Sequence, residues 1–268
     1  MTVDVATFIG PYPFRALERT SAADLLASMD RVGVDEAWVG HLAAFLHRDP
    51  APTNEGLYEA LDHTRLRCVP TVDPGIPEWH RDLERARHEN AAAIRVYPLH
   101  QGVPPDGSAM SELVIGAGTH GLPVVLTVRF EDVRQRHPLD TAGDLPAAAV
   151  RHLARVDDTT RLIVTHASRE YIEEVHFGLT PEEASRVYYD ISWLWGPPAD
   201  DLDVLCKTVG VSRFLYGSGF PLRIAEAPGA RLDLTDLDAS ERSAIESGNA
   251  QELVRACDDA RSTSPEGM

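Results

Sequence analysis

Short runs of β-branched and aliphatic residues alternate with helical patterns from one end of this chain to the other. Val3 to Ile9 reads as the first strand, and Ser21 to Val32 as a helix that Ser21 or Thr20 can cap. Glu36 to Leu42, Arg67 to Val72 and Ala92 to Tyr97 read as the next strands, with helices over Asn54 to His63, Pro77 to Glu89 and Ser108 to His120. Leu122 to Val128, Leu162 to His166, Val187 to Ile191 and Phe214 to Tyr216 complete the strands. Their helices are expected near Leu145 to Val156, Ser168 to Glu174, Asp200 to Val209 and Ser240 to Cys257.

Repeated strand and helix units bury a parallel sheet beneath helices. Eight units suffice to close that sheet, and the 268 residues match the roughly 250 that a (β/α)8 TIM barrel needs. An open, doubly wound sheet is the alternative. No G-x-G-x-x-G or P-loop glycine pattern follows any strand, which argues against it. No linker or low-complexity stretch interrupts the pattern. We therefore expect one barrel domain over residues 1–257 and a loose polar tail over 258–268.

The formal net charge of −17 argues against nucleic acid or an anionic membrane as partner. No apolar run reaches the roughly 20 residues of a membrane span. The start of the chain lacks a signal-peptide pattern. The three cysteines, Cys68, Cys206 and Cys257, are widely spaced and read as reduced thiols, so a cytoplasmic protein is expected.

Barrel enzymes work at the C-terminal ends of their strands. In this acidic chain those ends are rich in cations. The run after strand one carries Arg15, strand four holds Arg95 and Tyr97 with His100 beyond, and strand five leads into Arg129, Glu131, Asp132, Arg134 and His137. Strand six ends in His166, and Trp193 and Trp195 follow strand seven. Guanidinium forks suit carboxylates, which points to a small anionic substrate. The alternative is that the arginines pair with Asp4, Glu131, Asp132 or Asp190 and only brace the rim. Of Tyr188 and Tyr189, one should face the barrel interior and the other the helices.

Several segments resemble the amidohydrolase-2 group, which includes metal-dependent hydrolases and decarboxylases. Asp4-Val5-Ala6-Thr7-Phe8 lies where that group has D-x-H-x-H, and Leu122 to Thr127 resembles its L-P-V-x-I-H strand. Leu162 to His166 resembles its sixth strand, and Gly217-Ser218-Gly219-Phe220-Pro221 its G-S-D-x-P. Gly248-Asn249-Ala250 matches its last helix. The resemblance implies an amidohydrolase-type barrel, but Ala6, Phe8, Thr127 and Gly219 stand at four metal-ligand positions and only His166 remains. The segments around Arg15, Arg95 to His100, and Arg129 to Arg134 resemble a poorly characterised branch in which Arg, Tyr, His and acidic residues recur instead.

No cofactor is therefore expected, with divalent zinc at a rebuilt site (His166, His100, His137, Asp4, Asp190) as the alternative. The sequence predicts hydrolysis of a lactone or amide. His166, Glu131, Asp132 and His100 would serve as acid/base groups, and Arg15, Arg95, Tyr97, Arg129, Arg134, His137 and Trp193 would bind the substrate. Alternatives are a decarboxylase, isomerase or cyclase, and a non-catalytic ligand-binding barrel. A homodimer is compatible with the sequence, which marks no interface.

Overall fold

In the computed structural model, which describes residues 1–61, 64–197 and 200–255, every strand pairing is parallel. The strands are β1 (Val3–Ile9), β2 (Glu36–His41), β3 (Leu66–Cys68), β4 (Ile94–Val96), β5 (Val124–Thr127), β6 (Leu162–Thr165), β7 (Val187–Asp190) and β8 (Phe214–Leu215). One ladder runs β1-β2-β3 and the other β4-β5-β6-β7-β8. Backbone bonds join them into a ring. Ala92 N–H donates to the Cys68 carbonyl at 2.9 Å, and Arg95 N–H to the Pro70 carbonyl at 2.8 Å. On the far side Val5 N–H reaches the Tyr216 carbonyl at 3.0 Å. The result is the closed (β/α)8 barrel that the alternation implies.

The strands are shorter than their apolar runs. Pro70 has no N–H and ends the regular ladder of β3 early. Helices begin where side chains can satisfy their free N–H groups. Ser21 and Asp24 form a reciprocal capping box before Ala22–Val32, and Gly33 closes that helix with φ 75°. Short helices at Pro98–Gln101, Pro181–Ala184 and Ala227–Leu234 add to those expected, each with a proline in its first turn, where the missing N–H has no helical partner to lose. The expected helices over Asn54 to His63 and Ser240 to Cys257 begin earlier, at Ala51 and Ala239; His63, Cys257 and the tail lie outside the described residues. No helix among the described residues is long and apolar enough to cross a membrane.

The barrel interior is layered by the two-residue period of its strands. Val5, Trp38, Val69, Ala93, Val125, Ile163, Tyr188 and Leu215 share an apolar cluster, joined by Ala250 and Leu253 from the C-terminal helical segment. Tyr188 belongs to this layer, whereas Tyr189 packs outward beside Phe214. Two residues further along β4 to β7 stand Arg95, Thr127, Thr165 and Asp190. The same face of the sheet thus changes from fully apolar to polar, and all four residues are buried.

Candidate active site

Arg95 is the largest group of the polar layer and is 0% exposed. Its Nη1 donates to Thr127 Oγ1 at 3.0 Å, and the Thr127 and Thr165 hydroxyls lie 3.1 Å apart. Its guanidinium sits 4.4 Å above the Phe8 ring, a favourable cation–π contact in a dry setting. Asp190 and Tyr97 act on it electrostatically, yet Nε and Nη2 have no hydrogen-bond partner among the described residues. Burial lowers its pKa, but an arginine keeps its charge in a protein. The Tyr97 hydroxyl is likewise buried, too far or too misaligned from Arg95 for a well-formed hydrogen bond, and burial, opposed by the Arg95 charge, pushes it up to about 12. A buried cation with free donors costs several kcal/mol of desolvation unless an anion meets it.

His166 follows β6 with a left-handed backbone, φ 60°, which strains a non-glycine residue. Two contacts hold it there. Its backbone N–H donates to Asp190 Oδ1 at 2.7 Å, and its Nδ1 lies 2.8 Å from the Arg129 carbonyl. A carbonyl only accepts, so Nδ1 carries the proton and Nε2 keeps a lone pair. Burial first, then Arg223, pushes the imidazole down to about 3, so it is neutral at ordinary pH. Nε2 is buried without a partner among the described residues. The ring is edge-on to Phe8 at 5.9 Å and stacked on Trp193 at 5.8 Å.

Asp190 turns its second oxygen, Oδ2, into the same layer without a partner, and burial raises its pKa. Gly217 makes room for it: a Cβ there would stand 2.6 Å from Oδ2. Asp4 uses Oδ1 to receive the N–H groups of Ala6 at 3.1 Å and Ser218 at 3.0 Å, tying β1 to the β8 loop. Burial pushes Asp4 up to about 6.

Above the layer a cleft of about 310 Å³ opens between the loops after β1, β5, β7 and β8. Arg15, Phe130, Glu131, Trp193, Arg223 and Arg231 are among its lining residues. Trp193 links the two levels, lining the cleft and stacking on His166.

The residues expected from the sequence divide between these two levels. Arg95, Tyr97, His166 and Trp193 come together in or against the buried layer. Arg15 pairs with Glu131 at 2.9 Å, and Arg134 with its neighbour Asp132 at 2.8 Å on the exposed rim. Arg129 is held by Asp144 at 2.9 Å and by its own carbonyl's bond to His166. His100 turns to Asp140 at 3.0 Å, and His137 stacks on Phe14 at 5.6 Å. Trp195 lines the cleft and is half exposed. Arg223 and Arg231 were not anticipated as site residues, and Asp190 only as an ion-pair partner or metal ligand. A systematic look at every loop after a strand would have found Arg223, two residues beyond Pro221.

A family model described as Amidohydrolase matches residues 15–256. No curated protein matches the sequence. Among solved structures, a 2,6-dihydroxybenzoate decarboxylase complexed with 2,6-dihydroxybenzoate aligns at 13% identity and TM-score 0.72, covering 95% of this chain and 98% of that one. A dihydroxybenzoic acid decarboxylase from Polaromonas sp. JS666, with bound manganese and 2-nitroresorcinol, aligns at 14% identity and TM-score 0.71, covering 95% and 96%. A candidate 2-pyrone-4,6-dicarboxylic acid hydrolase from Pseudomonas putida aligns at 17% identity and TM-score 0.68, covering 95% and 97%. At these identities the likeness is one of fold.

The manganese-bound neighbour overturns the expectation that this chain uses no cofactor. The residues here do not fit that ion's site as a ligand set. Among the described residues no three His, Cys, Asp or Glu side chains converge. His166 Nε2 and Asp190 Oδ2 are two unpartnered acceptors, fewer than the roughly three protein ligands of a catalytic zinc. The Arg95 guanidinium shares their layer.

Proposed function

Because the chain belongs to the amidohydrolase family, we propose that it is an enzyme acting on a small carboxylated substrate, and that it removes the carboxyl group as carbon dioxide. One observation carries this reading: a wholly buried guanidinium with two unused donor nitrogens beside a bare imidazole lone pair. Arg95 would receive the carboxylate through Nε and Nη2. Cleavage of the carbon–carboxyl bond releases carbon dioxide and leaves the electron pair on carbon, which must take a proton. Asp190, whose pKa burial raises, would give it, and water from the cleft would restore it. His166 Nε2 would accept a hydrogen bond from a substrate hydroxyl. The decarboxylases among the neighbours support this choice over the hydrolysis expected from the sequence.

Hydrolysis is the second reading, favoured by the candidate pyrone hydrolase. There His166 Nε2 would take a proton from the attacking water, and Arg95 would stabilise the oxyanion. A panel of hydroxybenzoates and lactone acids separates the two. Carbon dioxide release by wild type, reduced about 100-fold or more in Asp190→Asn, supports decarboxylation. Acid release from a lactone without carbon dioxide supports hydrolysis. No turnover of either class would overturn the enzymatic reading.

A further inference from the structure

Arg223 has no task when a single carboxylate sits on Arg95. Its guanidinium lies 3.4 Å over Trp193, and its Nε is buried without a partner among the described residues. Arg231, beside it in the cleft, gives one nitrogen to the Ile191 carbonyl at 2.6 Å and also keeps a buried Nε free. Asp190 is the acid acting on Arg95, Arg223 and Arg231 alike. The other acids that act on the last two are engaged elsewhere: Asp132 with Arg134, and Asp201 with Arg169 at 3.7 Å. Three cations thus face one carboxyl group. A monoanion leaves two positive charges unmatched while Asp190 carries its proton and one when it does not, and a second anionic group removes one of them in either state.

The placement agrees with the charge. Arg95 covers Phe8, Phe8 meets His166 at 5.9 Å, His166 stacks on Trp193 at 5.8 Å, and Arg223 covers Trp193. Both guanidiniums also act on the imidazole electrostatically. Arg223 reaches this position by lying across Gly219, where an added Cβ would come within 3.0 Å of its Cδ. An aspartate at 219 would deny that space and add a charge.

We propose that Arg223 is a second anion receptor and that the substrate is a small molecule with two anionic groups, one on Arg95 and one on Arg223. This rests on the carboxylate reading above. Calorimetric titration with benzoate, benzene-1,3-dicarboxylate, butanoate and pentanedioate tests it. Wild type should bind at least one diacid about 10- to 100-fold more tightly than the matching monoacid. Arg223→Met should erase that preference by weakening the diacid far more than the monoacid, and Arg223→Lys should restore part of it. Equal affinity for mono- and diacids, or a preference that survives Arg223→Met, overturns the second receptor and leaves the first standing. Binding of no acid by wild type overturns both.

Discussion

The rim of the barrel mouth and the layer beneath it use the same residue types to opposite ends. On the rim, Arg15 meets Glu131, Arg134 meets Asp132, Arg129 and Arg136 meet Asp144, and His100 meets Asp140. Every one of these basic groups already has an acid, and Arg129 Nε is the one buried donor among them left without a partner among the described residues. Beneath Trp193, Arg95 Nε and Nη2, His166 Nε2 and Asp190 Oδ2 are all buried and all unmatched. Folding normally removes such groups, because an orphaned buried polar atom costs about 1–3 kcal/mol. Their concentration in one layer shows that polar side chains near a barrel mouth are not equivalent. Pairing marks a brace, and unpaired burial marks a receptor only where several such atoms converge.

Substitutions in the two regions should therefore differ sharply. His166→Ala should lower turnover about 100-fold or more, with the far-ultraviolet circular dichroism unchanged. Activity equal to wild type would move His166 to the brace class.

The pH response of the layer sharpens the contrast next. Asp4 is raised in the folded state to about 6, so the fold binds its proton more tightly than the open chain does. Its ionisation should cost about 3 kcal/mol of stability as pH rises from about 4 to about 6. Asp4→Asn, which retains the acceptor for Ala6 and Ser218, should match wild type near pH 4 and exceed it at pH 7. His166 acts in the other direction. Its folded value is depressed to about 3, so its contribution is full above about 6.5 and is lost as pH falls toward 3. Urea unfolding across this range reads both slopes. A wild-type minus Asp4→Asn difference that does not change with pH would contradict the first.

Gly217→Ala should lower stability by about 1–3 kcal/mol, because its Cβ would meet Asp190 and Ala6 at 3.0 Å or less. A neutral effect in the same unfolding assay would mean that Asp190 is free to move. Arg134→Ala should have the smallest effect, with melting temperature and ligand affinity both unchanged, since its pair is exposed. A loss of affinity there would break the division between rim and layer.

The barrel was legible because strand and helix periods alternate cleanly. Arg95 and His166 were legible because each interrupts or ends an apolar strand, where a polar side chain needs a reason. The rim pairs were not. Glu131, Asp132, Arg129 and Arg134 crowd one short segment, and sequence adjacency does not decide which charges cancel. Arg223 escaped notice because it follows a two-residue strand and a loop of glycine and proline, with no periodicity to orient it. Nor could the sequence show that Gly217 and Gly219 clear space for Asp190 and Arg223.

The most direct test of the receptor layer is Arg95→Met, studied by urea unfolding and by carboxylate titration of the same preparation. Methionine keeps much of the side chain's length and removes the unmatched charge. Stability should fall by no more than about 1–2 kcal/mol, for the lost bond to Thr127, while carboxylate affinity falls by about 100-fold. A variant that loses several kcal/mol of stability yet binds the carboxylate as wild type does would show that Arg95 braces the fold and receives no ligand.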